Sequence, residues 1–292
     1  MDIAALSSQQ EVPSSYVLEA FVPETKLVEV DFEFKPGFKI GVGFEFGCDN
    51  WDFYAEYTRF HSTVSNSASA DNGALIITNA PLYTGLDAQT ASGKWKLEMD
   101  YIDLFLRREF WVGNCLTLRP ALGLRINWFD QNFNLSYDRR GATELTFIEG
   151  LTTNTKSNNK GVGFTVGLHS NWMFCSGFRL YGDLFTSLLY ADYDNRVTLY
   201  YEGQINVQVP LANLVFNSCP DYIRPSMEIS MGLGWADYFC CNDWYLDLSI
   251  GYDFKVFWSQ KLRGVDDIRT VSGKVYDDLF LHGLNISAKL FF

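Results

Sequence analysis

The stretch that decides the fold is the last one, Phe280-Leu281-His282-Gly283-Leu284-Asn285-Ile286-Ser287-Ala288-Lys289-Leu290-Phe291-Phe292. Every second residue from Leu284 to Phe292 is apolar, while Asn285, Ser287 and Lys289 fall between them. Successive side chains of a β-strand point to opposite faces, so this segment has one apolar and one polar face. The pattern predicts a strand that separates an apolar medium from a wet one.

The same two-residue alternation recurs upstream, and helical periodicity is weak. It predicts about ten strands, with a range of eight to twelve. An even count would leave both termini in the periplasm. The first strand has an alternative: Lys35-Pro36-Gly37 would make a tight outer loop, and a strand at Tyr16–Val22 could replace 28–34. The predicted strands are 28–34, 38–47, 51–60, 94–109, 116–130, 160–174, 178–190, 223–239, 244–258 and 277–292.

Connections between these strands alternate between short and long. The short ones lie near 48–50, 113–115, 175–177 and 240–243, and the long ones at 61–93, 131–159, 191–222 and 259–276. Short periplasmic turns and long extracellular loops are typical of outer-membrane barrels. The sequence therefore predicts an all-β protein, a transmembrane antiparallel up-and-down β-barrel at 27–292. Residues 1–26 would form an N-terminal segment, either periplasmic or an incomplete first strand.

Composition supports this class. Aromatic residues make up 16% of the chain, yet the mean hydropathy is only −0.06, which suits rings displayed to lipid and at interfaces. No run approaches the roughly 20 apolar residues of a membrane helix. The net charge of −12 without a basic cluster argues against nucleic acid as a partner. Outer-membrane lipid, the barrel assembly machinery and a homo-oligomer are the expected partners, in the outer membrane of a bacterium.

One segment changes phase. Trp95, Leu97 and Met99 share one parity, whereas Ile102 and Leu104 share the other. A β-bulge between 95 and 107 would point both sets at lipid, so the sequence predicts a bulge there.

Charges on the polar faces are candidates for the wall of an aqueous pore, because fixed charges set the barrier that an ion meets. Facing rows of arginine and carboxylate would create a transverse field. The alternative is that these groups neutralise each other inside a filled small barrel. The candidate pore-lining residues are Lys39, Glu45, Glu56, Arg119, Arg125, Arg179, Asp183, Glu228, Asp247, Asp253, Lys255 and Lys289.

Five of the six cysteines lie in or beside the predicted short turns. One periplasmic rim would then carry Cys48, Cys115, Cys175, Cys240 and Cys241, placed for disulfides to other envelope proteins or neighbouring barrels. The alternative is that they are unpaired or locally paired without function. Zinc needs tetrahedral ligands at close spacing, and the sequence shows no such set, so no metal and no cofactor is expected.

The sequence predicts no enzyme. His61, His169 and His282 are the only histidines, and HExxH, GxSxG and glycine-rich phosphate loops are absent. His282 shares the apolar parity of its strand but has no evident serine partner.

Particular stretches resemble a known family. They are Asp31–Gly43, Trp51–Tyr54, Tyr57–His61, Asp103–Phe110, Leu116–Pro120 and the aromatic C-terminus. These residues resemble the pore-forming major outer membrane protein-like proteins of legionellae and chlamydia-related bacteria, over most of the chain from about residue 28. Family members usually have an additional aromatic strand that residues 1–26 match poorly.

The resemblance implies a porin-like role, with passive diffusion of ions and small solutes. In chlamydial relatives it also implies disulfide cross-linking of the envelope. The competing hypothesis is a filled barrel that acts as an adhesin, through 61–93 and 191–222, or as a disulfide-linked scaffold. Phe292 ends the chain like the aromatic signal that the barrel assembly machinery recognises.

Overall fold

The computed structural model describes residues 2–8, 26–29, 33–47, 49–69, 74–80, 83–138, 150–174, 177–202, 214–218, 221–239, 244–262 and 276–291. Within these ranges the regular secondary structure is all β-strand. None of the described segments forms a helix that is long and apolar enough to cross a membrane.

The strands are numbered in chain order. They are β1 (Asp2–Ser8), β2 (Lys26–Glu29), β3 (Gly37–Glu45), β4 (Trp51–Ser69), β5 (Ala74–Ala80), β6 (Tyr83–Ala88), β7 (Thr90–Arg108), β8 (Phe110–Val112), β9 (Leu116–Asp138), β10 (Gly150–Met173), β11 (Phe178–Glu202), β12 (Leu214–Ser218), β13 (Asp221–Phe239), β14 (Trp244–Leu262) and β15 (Tyr276–Phe291).

A single antiparallel sheet dominates the molecule. Its strands follow the order β15-β14-β13-β11-β10-β9-β7-β4-β3, with β12 beside β11 and β8 beside β9. The Lys39 ammonium on β3 lies 2.8 Å from the Asp253 carboxylate on β14, and the rings of Phe34 and His282 lie 5.9 Å apart. The sheet therefore curls until its two edges approach each other, as an up-and-down barrel requires. A smaller sheet has the order β2-β1-β5-β6.

Nine of the ten predicted strands correspond to strands of the main sheet. The exception is 28–34. Val28 and Glu29 belong to β2, which pairs with β1 in the small sheet, so the predicted barrel strand is wrong at these two positions. Residues 30–32 and the alternative strand at Tyr16–Val22 lie outside the described residues. The assignment of 1–26 as a separate segment stays a prediction.

The predicted bounds of the long loops are wrong where the structure describes them, because strands continue into these regions. Strand β4 continues to Ser69 and β7 begins at Thr90, while β9 reaches Asp138 and β10 begins at Gly150. The regions 191–222 and 259–276 likewise begin and end in strand. Polar composition concealed these extensions, because their outward side chains face water and not lipid.

The predicted bulge is also wrong. The pairings of β7 with β4 and β9 run without a register shift. Trp95, Leu97 and Met99 are buried inside the barrel, whereas Leu106 on the opposite parity is exposed outside it. The apolar residues therefore move from one face of β7 to the other because the medium outside the strand changes from lipid to water, while the strand itself stays regular.

Two zones follow from this reversal. In the lower zone, which is the part nearer the short turns, the outward side chains are apolar. This zone ends at a row in register across five strands, formed by Tyr57, Ile102, Ile126, Val162 and Tyr190. Above this row, which we call the last apolar row, the outward residues are mostly charged or polar, with Trp128 as an exception, and many apolar residues turn inward. Lipid contact in the lower zone and water contact in the upper zone account for both arrangements. Exposed rings cluster at the opposite end, among them Trp111 and Trp172, as in the aromatic girdles of barrels.

Candidate functional site

Arg125 is a deeply buried charge inside the lower zone, only 2% exposed. The alternation of β9 turns it inward, directly opposite Asp103 of the neighbouring β7. Its Nε and Nη2 donate to the two oxygens of that carboxylate at 2.6 and 2.8 Å. The planar guanidinium suits such a two-point bond, which fixes its orientation as well as its charge.

Arg125 also reaches across the lumen. Its Nη1 donates to Glu228 of β13, although β10 and β11 lie between the two strands in the sheet. The Lys255 ammonium of β14 lies 2.7 Å from the same carboxylate and donates to the hydroxyl of Tyr101 on β7. We call Arg125, Asp103, Glu228, Lys255 and Tyr101 the central network. It joins opposite walls of the barrel with two cations and two anions.

Tyr101 sits between the two cations of the central network. The guanidinium carbon of Arg125 lies 4.4 Å from its ring centroid, and the Lys255 nitrogen lies 5.0 Å from it. Both distances are within the range of cation–π attraction. The ring therefore holds the two positive groups near each other while Glu228 neutralises them.

A glycine makes room beside the network. Gly163 of β10 is opposite Arg125 in the ladder, and a Cβ there would lie 1.9 Å from the carbonyl oxygen of Leu188 on β11. That oxygen is backbone and cannot rotate away, so this wall tolerates no side chain at 163.

Further ion pairs line the lumen toward the short turns. Arg179 Nη2 donates to both oxygens of Asp247 at 2.7 Å. Arg107 Nε donates to Asp52 at 2.6 Å, and Arg119 approaches the same carboxylate at 3.8 Å. Asp247 and Asp52 therefore both have a cationic partner, which limits the cost of enclosing these two carboxylates.

Two clusters complete the polar interior. Asp253, the partner of Lys39, also accepts hydrogen bonds from Ser230 at 2.7 Å and Asn285 at 3.1 Å. His169 Nδ1 lies 2.9 Å from Asp183. The seam between the sheet edges is thus held by charge as well as by ring contacts.

The upper zone is filled differently. A continuous apolar cluster occupies its interior and contains Trp95, Leu97 and Phe129. The rings of Phe129 on β9 and Phe257 on β14 meet edge to face, with centroids 5.0 Å apart, across the lumen. The interior therefore holds ion pairs in the lower zone, whereas above it an apolar cluster packs beside buried uncharged polar side chains such as Ser157 and Asn159.

All twelve candidate pore-lining residues fall on the inward parity of their strands. Most join the contacts above, Glu56 accepts from the Tyr54 hydroxyl at 3.0 Å, and Glu45 and Lys289 are exposed near the short turns. Their role as pore-lining groups stays a prediction. Tyr101 and Asp103 were not among the predicted lumen residues, because a bulge would have altered their parity. Unbroken alternation from Leu97 places both of them on the inward face.

Of the rim cysteines the structure describes only Cys115, whose thiol is exposed and free. The other four, and Phe292, lie outside the described residues. Disulfides at the rim and the terminal assembly signal therefore remain predictions. Within the described ranges no three His, Cys, Asp or Glu side chains are grouped as metal ligands.

Comparison with known proteins gives one finding. The family described as "Legionella pneumophila major outer membrane protein precursor" matches residues 3–292. No curated protein and no solved structure matches the chain. The inward polar rows, the outward apolar band and this match over nearly the whole sequence agree, and they place the protein in the bacterial outer membrane. The chain belongs to the Legionella major outer membrane protein family.

Proposed function

We propose that the protein is porin-like and provides a narrow passage for ions and small solutes, with the central network as its constriction. The supporting observation is the contrast between the two zones. The chain packs an apolar cluster and uncharged polar side chains into its upper lumen, yet it keeps Arg125, Lys255, Asp103 and Glu228 at the level of the membrane. Buried ion pairs are often no more stabilising than apolar residues of similar volume. Stability alone therefore does not explain the charges, whereas conduction does.

Passage through the constriction requires that the contacts crossing the lumen separate. Arg125 can keep both bonds to Asp103 when it releases Glu228, and Lys255 can stay with Glu228 when it leaves the Tyr101 hydroxyl. Charge stays partly neutralised on each wall in the separated state. The network can therefore open without leaving an isolated buried charge, which would be costly.

The test is conductance of the folded protein in planar bilayers under a salt gradient. Glu228→Gln keeps the shape of the side chain but removes its charge, so the bridges to Arg125 and Lys255 weaken and the mean current through each barrel should rise. Lys289→Gln is the matched control, because it changes an inward charge far from the constriction. Silence from both the folded wild type and Glu228→Gln would overturn the proposal.

A second candidate is a filled barrel that serves as an envelope scaffold or adhesin. The contact between Phe129 and Phe257 and the buried cluster around it favour this role, because they occupy the outer mouth of the lumen. The double variant Phe129→Ala/Phe257→Ala separates the two functions. If the barrel is a scaffold, the wild type is silent and the variant conducts; if it is a porin, the wild type already conducts.

A further inference from the structure

The outward face of β10 above the last apolar row carries no carboxylate. Moving away from the apolar band it presents Lys160, Asn158, Lys156, Asn154 and Thr152. We call these residues the β10 track. The whole chain has a net charge of −12, so a track of cations and amides on one strand is unusual for this protein.

Two cations stand directly opposite each other beside the track. Lys156 pairs in register with Arg196 of β11, and on its other side it pairs with Asn132 of β9. The row continues through Lys96 to Thr63 and contains no acidic residue. Like charges that face each other across two strands are destabilising. An anionic group between Lys156 and Arg196 would relieve this repulsion.

The foot of the track is a shallow groove at the edge of the apolar band. Its volume is about 250 Å³, and its outward lining is Ile126, Trp128, Lys160, Val162, Tyr190 and Asp192. Apolar and aromatic side chains therefore adjoin Lys160 and Asp192, which face each other in register on β10 and β11, at the level where hydrocarbon gives way to water. An acyl chain with an anionic group just above it matches this chemistry.

The height of Lys156 above the apolar band determines which kind of lipid can reach it. Lys156 is six residues beyond Val162, which is about 20 Å along a strand and about 15 Å above the apolar row when the strand tilts by about 40°. The headgroup layer of an ordinary bilayer is only about 5–8 Å thick on each side. A phospholipid can reach Lys160 but not the pair Lys156 and Arg196, whereas a lipid with a phosphorylated saccharide headgroup reaches both.

We propose that one phosphorylated glycolipid of the outer leaflet binds along the β10 track. Its acyl chains rest on Val162 and Tyr190, its first phosphate meets Lys160, and a second anionic group on the saccharide lies between Lys156 and Arg196. Asn158 and Asn154 are spaced to hydrogen-bond sugar hydroxyls along the way. This binding is independent of whether the lumen conducts.

The test is calorimetric titration of the folded full-length protein in detergent with rough lipopolysaccharide, which carries a phosphorylated core. Separate titrations use its lipid A portion, phosphatidylglycerol and inorganic phosphate. Lys156→Gln/Arg196→Gln should weaken binding of rough lipopolysaccharide about thirtyfold, on the basis of the usual contribution of a cation near an anionic lipid surface. Binding of lipid A, which ends below this pair, should not change.

Lys96→Gln is the matched control. Lys96 lies in the same row as Lys156 but two strands away, and it is already paired with Glu98 at 2.9 Å. This variant should bind as the wild type does. Equal weakening by Lys96→Gln, no weakening by the double variant, or equally tight binding of phosphatidylglycerol or inorganic phosphate by the wild type would each overturn the proposal.

Discussion

Arg125 and Glu228 touch across the lumen, although their strands β9 and β13 are separated in the sheet by β10 and β11. The contact ties two walls of the barrel to each other through side chains alone. The same guanidinium is fixed to its neighbouring strand by Asp103. Arg125 is therefore both a structural tie and the group that narrows the lumen.

Removing the carboxylate that fixes Arg125 should be costly. Asp103→Ala leaves a buried guanidinium with one anion in place of two, and breaking a buried pair in this way typically costs about 3–5 kcal/mol. We expect the free energy of unfolding in urea, followed by tryptophan fluorescence in lipid vesicles, to fall by that order. Lys289→Ala, an exposed inward position, should change it by less than about 0.5 kcal/mol. Equal effects of the two variants would contradict the assignment of Arg125 as a structural tie.

Much of the barrel could be predicted from sequence, because lipid and a polar lumen impose strict alternation on each strand. The strands at 116–130 and 244–258 lie within β9 and β14 and have the expected inward and outward faces. The upper zone could not be predicted in the same way. There the outward side chains meet water, so the apolar residues lie on the inward face of the strand. A prediction that assigns every apolar face to lipid therefore mistakes the continuing strand for a bulge or a loop.

The site was predictable only in part for a related reason. Parity alone assigns Arg125, Glu228 and Lys255 to the lumen. Which strands face each other across it depends on the curl of the sheet, and that is not a property of any local segment. The contacts of Arg125 with Glu228 and of Lys255 with Tyr101 therefore required the structure.

The reversed zone can be tested on adjacent residues of β7. Leu97 is fully buried inside the barrel, and Lys96 beside it is exposed outside. Leu97→Ala should lower the free energy of unfolding by about 2–5 kcal/mol, as truncations in a packed core do. Lys96→Ala should stay within about 0.5 kcal/mol of the wild type. If Leu97 faced lipid, as a bulge would require, the loss of unfolding free energy would be much smaller. Brominated lipids would then also quench the fluorescence of the tryptophan in Leu97→Trp.

Two inward glycines give a matched comparison. A Cβ at Gly163 would meet the backbone oxygen of Leu188 at 1.9 Å, whereas a Cβ at Gly283 of β15 would find nothing within 4 Å. We expect Gly163→Ala to destabilise the barrel by about 1–3 kcal/mol, the usual cost of overpacking. Gly283→Ala should be neutral or slightly stabilising, since alanine restricts the unfolded chain. Urea midpoints of the two variants in the same vesicles make the comparison, and a larger loss for Gly283→Ala would exclude this packing argument.

Asp130 should make stability depend on pH. It lies beyond the last apolar row on the outward face of β9, opposite Glu98, and burial together with the charge of Glu98 raises its pKa above the ordinary value. A carboxyl with a raised pKa in the folded state favours folding while it is protonated. That contribution is present below the pKa of the unfolded chain and is lost as pH rises through the pKa of the folded protein.

Asp130→Asn should therefore make the barrel more stable than the wild type at neutral pH, and the difference should shrink to zero as the pH falls below the range in which Asp130 titrates. Unfolding midpoints measured from acid to neutral pH report this difference. In the background of Glu98→Gln, which removes the facing charge, the gain from Asp130→Asn should be smaller. A gain that is the same at every pH would show that the asparagine acts through new contacts, and that the ionisation of Asp130 carries no penalty in the folded barrel.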